Sequence, residues 1–434
     1  MQKLALFGGT PVLKEKLVFY NSLGKEEERA AVRVMKRRLI SDFLGCAGEK
    51  FLGGQEIKKF EKAITQDFGV RYAVTFNSAT TALQGAVAAL GIGPGDEVIT
   101  SPFTMSATAT SIVLNNAIPV FADIDEETYC LSAASIEKCI TKKTKAILVV
   151  NLFGGPADYA PILKLAKKYN LKIIEDNAQA PGATYRGRRT GTIGDIGILS
   201  LNVHKVMQSG EGGVLITNNK RYAYRAQLVR NHGEVVMDHV WESESQTREF
   251  IGGSNYRLTE LQAAIALEQH KKMHHMNRAR NVLADYLTKK LKQFSWLSPI
   301  KKLPRSTHVY YLYPVKFFGE KIGFSRATCA KALAAEGFEI EEGYQKPLYL
   351  IPMFQNKRMY PHSQFPFISR EYPHTVSYKK GICPVVERMY ETELFVHALC
   401  QTPKTKKTID LFIRALKKIE ANQGVLQQYE KKSK

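Results

Sequence analysis

The chain has 434 residues, of which 44% are hydrophobic and 24% charged, a composition typical of a soluble globular protein with a large core. Its six cysteines form no CxxC pair and no apolar run approaches about 18 residues. These features argue against a disulfide-stapled secreted domain and a membrane span, so we expect a cytoplasmic protein with free thiols. The net charge of +21 is compatible with a solvated helical surface, nucleic acid, a membrane surface or an anionic substrate, but no nucleic-acid-binding motif accompanies it.

The first half of the chain alternates helical and strand-like patterns. Helical periodicity marks residues 25–40 and 53–69, and Gly69 is a typical helix stop. A strand, a helix and a second strand follow within residues 71–100, with the helix starting near residues 78–81 and ending at Gly91. Further strands are predicted in the segments 117–125, 145–154, 171–180 and 194–202. This alternation predicts a mostly parallel sheet, whose ligands lie beyond the carboxyl ends of the strands.

The pattern changes after residue 257, where one long helical segment precedes a second set of strands and helices. The stretch "HVYYLYPVKF" predicts a strand, "SRATCAKALAAEG" a helix, and "FEIEEGY" an edge strand or loop. We therefore predict an N-terminal arm, a large α/β domain, a connecting helix and a smaller C-terminal α/β domain. Their boundaries are 1–24, 25–257, 258–297 and 298–434.

Polar side chains follow three of the predicted strands. Residues 77–81, "NSATT", begin a helix, and free N–H groups at a helix start are a ready anion site. Asp176 could hold a positive ring nitrogen, and desolvation of Lys205 would lower its pKa and free its amine as a nucleophile. Each feature alone is commonplace. In this order they describe a site for pyridoxal 5'-phosphate (PLP).

The segments "FNSATTALQGAVAALGIGPGDEVIT", "IIEDNAQAPGATYRG" and "GTIGDIGILSLNVHKVMQSGEGGVLITNN" resemble the DegT/DnrJ/EryC1/StrS family of PLP-dependent sugar aminotransferases, and the resemblance extends almost end to end. It implies PLP-dependent transferase fold type I, which is aspartate aminotransferase-like, and a homodimer with a shared active site. It also implies a ping-pong reaction that moves an amino group from an amino acid, which we expect to be L-glutamate, to a keto-sugar.

The resemblance assigns two residues to catalysis. Lys205 would bind PLP covalently, with pyridoxamine phosphate as the intermediate cofactor form, and would move the substrate proton. Asp176 would pair with the pyridine nitrogen. Gln179 would lie beside the 3'-oxygen of PLP, and Ser200 would bind its phosphate. The glycines after Lys205 would let the chain pass closely by the cofactor, while Glu211 would accept hydrogen bonds from the N–H groups of its own turn.

The remaining expected contacts are spread along the chain. The backbone N–H groups of Ala79 and Thr80 would hold the phosphate. Met105 stands where relatives often carry an aromatic ring over PLP, and its thioether could pack there, with Phe103 as a weaker candidate. His308 falls where relatives place a histidine near the sugar.

The neighbouring subunit would also contribute to the phosphate site. Asn255 is the expected contact and Arg257 the other candidate, because the segment "SNYR" reaches the partner's phosphate in relatives. His204 beside the lysine is expected to pack, or to support the residues that contact the ligand, rather than to carry a proton.

Two kinds of acceptor stay open at this point. A nucleotide-linked 3- or 4-keto-sugar for polysaccharide biosynthesis fits the positive charge, and a free keto-cyclitol or keto-sugar is the alternative. A PLP-dependent sugar dehydratase and a non-catalytic basic binding protein on the same fold are further alternatives. The segment "KPLYL" departs from the family's usual "PLH", which leaves the substrate end of the site less defined than the cofactor end.

Overall fold

A computed structural model describes residues 2–18, 21–46, 48–233, 251–373, 376–401 and 403–433. The helices of this part of the chain are α1 (Lys25–Lys36), α2 (Gln55–Phe68), α3 (Ala79–Ala89), α4 (Ala107–Val113), α5 (Ala133–Cys139), α6 (Tyr159–Tyr169), α7 (Lys220–Arg230), α8 (Glu260–Leu291), α9 (Gly319–Ile322), α10 (Arg326–Ala335), α11 (Pro352–Gln355), α12 (Pro384–Arg388), α13 (Lys406–Ala421) and α14 (Gln423–Ser433). None of them is long and apolar enough to cross a membrane.

The strands fall into one large sheet, a smaller sheet and two short hairpins. They are β1 (Tyr72–Phe76), β2 (Glu97–Thr100), β3 (Ile118–Phe121), β4 (Thr144–Val150), β5 (Lys172–Asp176), β6 (Thr184–Tyr185), β7 (Arg188–Arg189), β8 (Ile196–Ser200), β9 (Gly213–Thr217), β10 (Asn231–Gly233), β11 (Gly252–Asn255), β12 (Leu297–Pro299), β13 (Tyr313–Phe317), β14 (Glu341–Glu342) and β15 (Leu394–His397).

The large sheet confirms the predicted parallel architecture. Its order is β1-β9-β8-β5-β4-β2-β3, and every neighbouring pair is parallel except the two that involve β9. All residues of β2, β3, β8 and β9 are buried, as expected for strands covered on both faces. Because β1, β8, β5, β4 and β2 run the same way, their carboxyl ends meet at one edge of the sheet.

Local signals set the ends of several helices as predicted. Gly69 adopts a left-handed conformation, φ +66°, and its N–H closes α2 on the Thr65 carbonyl, which confirms the predicted stop. The Ser78 side chain caps α3 by accepting from the Thr81 N–H. The helical pattern at 25–40 ends earlier than predicted, at Lys36, before the left-handed residue Arg38.

The C-terminal part of the chain forms a second, antiparallel sheet in the order β12-β13-β15-β14. The prediction of a strand over the whole of "HVYYLYPVKF" is wrong, because only residues 313–317 pair in β13. Tyr310 has a left-handed backbone, φ +49°, and the Val309 N–H bonds to the Gly154 carbonyl instead of to a strand. The segment 308–311 is therefore bound to the loop that follows β4.

The segment 345–386 returns to the edge of the large sheet. The Leu348 N–H donates to the Pro102 carbonyl, and the Tyr372 hydroxyl donates to Glu97 at 2.6 Å. Asp123 accepts from the backbone N–H groups of Val385 and Val386. One hydrophobic cluster runs through both sheets, and the predicted four-part division of the chain stays a prediction.

Candidate active site

Lys205 lies in the loop between β8 and β9, beyond the carboxyl edge of the large sheet. Its backbone N–H donates to the Asn202 carbonyl at 2.8 Å, and its half-buried side chain places Nζ 4.4 Å from the centroid of the Tyr311 ring. Burial lowers the pKa of the amine, and the Asp176 carboxylate acts in the opposite direction. The amine is therefore more easily deprotonated than an exposed lysine, as a nucleophilic role requires.

Asp176 is the last residue of β5, and its side chain is buried. Its Oδ2 accepts a hydrogen bond from Thr108 Oγ1 at 2.8 Å, and its Oδ1 accepts from the Ala178 N–H at 3.2 Å. Burial raises the pKa of this carboxyl, although both hydrogen bonds and Lys205 lower it. A carboxylate held in this way is stabilised by any cation that enters the site, such as a protonated ring nitrogen.

Glu175, the neighbour of Asp176, faces the other side of the strand because side chains alternate. Its carboxylate accepts from the backbone N–H groups of Gly191, Ile193 and Gly194 at 2.5–2.7 Å. Glu175 thus stabilises the turn before β8, while Asp176 alone of the two faces Lys205. Alternation along β5 separates a structural carboxylate from a candidate catalytic one.

Gln179 is buried and held at both ends of its amide. Its Oε1 accepts from the Phe153 N–H at 2.8 Å, and its Nε2 donates to the Tyr344 hydroxyl at 3.0 Å. If the Gln179 amide were turned over, its NH2 group would face the Phe153 N–H, and two donors would meet. The orientation of the amide is therefore fixed. One N–H of the amide stays available to a ligand.

The start of α3 offers the anion site predicted from the sequence. The N–H groups of Ala79 and Thr80 lie in the first helical turn, where no intrahelical acceptor exists. Ser200 ends β8 with its hydroxyl buried. The Asn77 N–H donates to the Tyr256 carbonyl at 2.7 Å, which ties this helix start to the segment that carries Asn255.

Among the glycines after Lys205, Gly213 is required by the protein backbone itself, and a close approach of these glycines to PLP stays a prediction. A Cβ at Gly213 would lie 2.5 Å from the Ser78 carbonyl oxygen and 2.6 Å from the Ala79 nitrogen, so a glycine lets β9 pass against the start of α3. Gly210 has φ +82° and open space around it. The constraint at Gly213 therefore comes from backbone that builds the anion site.

The prediction for Glu211 is wrong. Its Oε1 accepts from the Asn202 side chain at 3.0 Å, so it bridges the two sides of the loop instead of serving the N–H groups of its own turn. His204 is exposed, and its backbone N–H donates to the Asn202 side chain. Packing is therefore the wrong expectation for His204, and a supporting role stays a prediction.

Met105 and Phe103 have contrasting environments. Met105 is 57% exposed just before α4, so its thioether is accessible to a ligand, and its contact with PLP stays a prediction. Phe103 is fully buried and packs edge-on against Phe153 and Tyr344. Phe103 therefore supports the aromatic residues that hold Gln179.

His308 is buried in the segment that leads to Tyr311. Its Nδ1 accepts from the Tyr310 N–H at 2.9 Å, and its ring stacks on Tyr310. Burial, with a smaller effect of Lys302, lowers the pKa of His308 to about 3, so the imidazole is neutral. Its Nε2 has no partner in the described part of the chain. This geometry positions residues 308–311, and contact with a sugar stays a prediction.

Asn255 is the last residue of β11 and is exposed. Its side-chain oxygen accepts from Arg257 Nε at 2.8 Å, so the two candidates for the neighbouring subunit's phosphate contact each other. Three other residues were missed by the sequence analysis: Thr108, Tyr311 and Tyr344. Their roles depend on contacts between distant parts of the chain, for which no motif exists.

Three groups lie at one edge of the large sheet: the Lys205 amine with its lowered pKa, the buried Asp176 carboxylate and the start of α3. These groups match the aldehyde, the ring nitrogen and the phosphate of PLP. The described chain superimposes on the crystal structure of the aminotransferase from Psychrobacter cryohalolentis with a TM-score of 0.79, at 29% identity, covering 94% of this chain and 99% of that one. The molecule is therefore a PLP-dependent aminotransferase of fold type I.

Residues 41–381 match the DegT/DnrJ/EryC1/StrS aminotransferase family, and the chain belongs to that family. It is 37% identical over 302 residues to GDP-perosamine synthase of Caulobacter vibrioides, covering 69% of this chain and 79% of that protein. It is 32% identical over 432 residues to a putative L-glutamine:3-amino-2,3-dideoxy-scyllo-inosose aminotransferase of Micromonospora echinospora, covering 98% of this chain and 99% of that protein.

The two glycines provide a test of the anion site. Gly213→Ala forces its Cβ against the start of α3, so we expect it to weaken PLP binding at least about tenfold, with a loss of about 1–3 kcal/mol in unfolding free energy. In Gly210→Ala the Cβ has room, so we expect only the strain of the left-handed backbone, a loss of about 1–2 kcal/mol in unfolding free energy. Equilibrium dialysis of PLP and urea denaturation measure both effects. Equal PLP affinity in the two variants would contradict the assignment.

Proposed function

We propose that this protein transfers an amino group from an amino acid to the ketone of a sugar, with PLP attached to Lys205. The observation that carries the proposal is the half-buried Lys205 amine, whose pKa is lowered by burial, at the same sheet edge as the buried Asp176 carboxylate. When bound, PLP supplies an electron sink for the negative charge left by removal of a proton from the amine-bearing carbon.

Lys205 would perform two tasks. Its uncharged amine forms the covalent link to the cofactor. Once released from that link, Nζ would accept a proton from the amine-bearing carbon of the donor and deliver it to the cofactor carbon that had carried the aldehyde oxygen. The lowered pKa of Lys205 serves both tasks, because each requires the free amine.

The remaining residues would orient the cofactor. Asp176, fixed by Thr108 and the Ala178 N–H, holds the proton on the ring nitrogen. The N–H groups of Ala79 and Thr80, together with the Ser200 hydroxyl, hold the phosphate. Three further assignments stay part of the proposal: Gln179 at the 3'-oxygen, Met105 against the ring and Asn255 at the partner's phosphate.

A nucleotide-linked 3- or 4-keto-sugar is the acceptor we favour. Its phosphates match the net charge of +21, which raises the capture rate of an anion at low salt, and the similarity to GDP-perosamine synthase supports it. A keto-cyclitol is the second candidate, since the match to the Micromonospora relative covers nearly the whole of both chains. L-Glutamate is the expected donor, and the name of that relative adds L-glutamine to the donors to be tested.

The donor half-reaction tests Lys205. Purified protein with PLP is expected to absorb near roughly 420 nm, and L-glutamate or L-glutamine should remove this band in a single turnover as the cofactor takes up the amino group. Lys205→Ala should lack both the band and its decay, whereas Lys138→Ala, an exposed lysine on α5, should behave as wild type. A band of equal strength in Lys205→Ala would refute the assignment.

We also propose that the active site is shared in a homodimer. Large apolar side chains between residues 18 and 52 are exposed: Val18, Leu23, Val32, Met35, Leu39, Ile40, Leu44 and Leu52. So many exposed apolar residues in one short segment are typical of an interface. Met105 and Val203 are exposed as well, in the loops that carry the candidate site, so a second copy could cover both surfaces.

The cysteines of this protein, all free thiols, support a cytoplasmic location.

Light scattering at several concentrations tests the interface. We expect wild type to be a dimer, and the double variant Met35→Lys, Ile40→Lys to be monomeric, because each change puts a charge on an exposed apolar surface that the proposed dimer would bury. The monomer should also bind PLP more weakly, since one phosphate contact comes from the partner. Val425→Lys, at an exposed apolar residue of α14, is the matched control and should remain dimeric. A dimer that survives the double change would place the interface elsewhere.

A further inference from the structure

Tyr311 contacts Lys205, Tyr344 contacts Gln179, and Glu341 lies three residues before Tyr344 in the chain. The Lys205 Nζ lies 4.4 Å from the centroid of the Tyr311 ring. Its backbone is fixed by the Gln401 side chain, which donates to the Tyr311 carbonyl at 2.8 Å. The Tyr311 hydroxyl has no hydrogen-bond partner among the residues that the structure describes.

Tyr344 reaches the site from the opposite end of the sequence. Its hydroxyl accepts from Gln179 Nε2 at 3.0 Å, which leaves its own O–H proton without an acceptor in the described ranges. Its ring packs edge-on against Phe103 and Phe153. The backbone is left-handed, with φ +66°, and such conformations in bulky residues persist where packing enforces them, often at functional sites.

Glu341 is the first residue of the edge strand β14, and the pairing of this strand fixes which face its side chain is on. It pairs with Val396 of β15, and its neighbour Glu342 faces Arg326 with an ion pair of 3.2 Å. Side chains alternate along a strand, so the Glu341 carboxylate lies on the face opposite the Glu342–Arg326 pair. Burial, followed by the charge of Glu341, raises the pKa of the Tyr311 phenol, and after burial the same carboxylate contributes to the raised pKa of Tyr344.

Among the residues that the structure describes, the Glu341 carboxylate has no cation beside it, unlike two other acids of this sheet edge. Glu342 pairs with Arg326, and Glu391 pairs with Lys380. Within the described parts of the chain Glu341 has neither an ion pair nor a side-chain hydrogen bond, and it is exposed, so a ligand can reach it. The three side chains therefore offer one charged acceptor and two hydroxyls, with Tyr311 against the reactive lysine and Tyr344 against Gln179.

The carboxylate and the two phenols favour a ligand that carries hydroxyl groups. A carboxylate and two phenols can accept from and donate to hydroxyl groups, and the aromatic faces can pack on the C–H bonds of a ring. Phosphates and carboxylates are disfavoured next to Glu341 by like-charge repulsion.

We propose that Tyr311, Glu341 and Tyr344 recognise hydroxyl groups on the neutral ring of the acceptor, with Glu341 as the specificity-determining residue. This inference rests on the proposed amino transfer to a keto-sugar. It implies that the polyhydroxylated ring lies at Glu341 and that any phosphates of the acceptor lie away from it.

The test separates the two half-reactions in wild type, Glu341→Ala, Glu341→Gln and the control Glu342→Gln, which changes the adjacent carboxylate on the other face of β14. The donor half-reaction uses L-glutamate or L-glutamine. The acceptor site is probed with GDP-perosamine, run in reverse as an amine donor, and with scyllo-inosose as a ketone. All variants are also compared in Tm and in the visible spectrum of bound PLP.

We expect Glu341→Ala to lower kcat/KM for the reacting acceptor probe by about tenfold or more, mainly through KM, with no slowing of the donor half-reaction. Glu341→Gln keeps an uncharged acceptor and should recover part of the loss, while Glu342→Gln, Tm and the spectrum should stay as in wild type. Tyr344→Phe should weaken the same probe.

Several outcomes would overturn the inference. One such outcome is an acceptor kcat/KM that is unchanged in Glu341→Ala. Another is a wild type that completes the donor half-reaction but reacts with neither hydroxylated probe. Either result would refute the recognition site and would leave the aminotransferase assignment intact. A loss in Glu341→Gln as large as in Glu341→Ala would indicate an ammonium ligand instead of hydroxyls. Absence of the donor half-reaction in wild type would remove the proposed function and this inference together.

Discussion

The active site depends on bringing a lysine and an aspartate into a site where neither charge is well solvated. Burial lowers the pKa of Lys205 and raises that of Asp176, so each group is less stable in its charged form than it would be in water. Lys205 and Asp176 would both gain from bound PLP: the lysine amine would bond to the cofactor's aldehyde carbon with loss of water, and the Asp176 carboxylate would pair with the protonated ring nitrogen. Desolvation makes the charged forms of Lys205 and Asp176 unfavourable, and the same desolvation therefore favours binding of the cofactor.

The sheet supplies the geometry for this arrangement. Parallel strands deliver Asp176, Ser200 and the start of α3 to one edge, and β9 approaches that helix start so closely that only a glycine fits at position 213. Alternation along β5 sends Glu175 into a structural turn while Asp176 enters the site. Two adjacent carboxylates therefore have different functions because they lie on opposite faces of one strand.

The cofactor end could be predicted from the sequence because it is built from local patterns. Buried strands, a capped helix and a lysine at a strand end each leave a short signature, and the structure places Asp176 and Lys205 near each other as the strand order requires. The contact between Gln179 and Tyr344 joins residues 165 positions apart, so no local pattern reports it. The strand predicted at 308–317 starts late for the same reason, since Val309 bonds to Gly154 in a distant loop. Glu211 was misassigned because its partner, Asn202, is set by the path of the whole loop.

The central claim is that Lys205, among 62 basic residues, carries the cofactor. Reduction of the PLP-loaded protein with borohydride, followed by proteolysis and mass spectrometry, tests this claim most directly, because it makes the lysine–cofactor bond permanent and locates it. Our account predicts a single modified peptide with the pyridoxyl group on Lys205, and loss of that modification when L-glutamate or L-glutamine is added before reduction. A pyridoxyl group on another lysine, or none under conditions that saturate the protein with PLP, would contradict it.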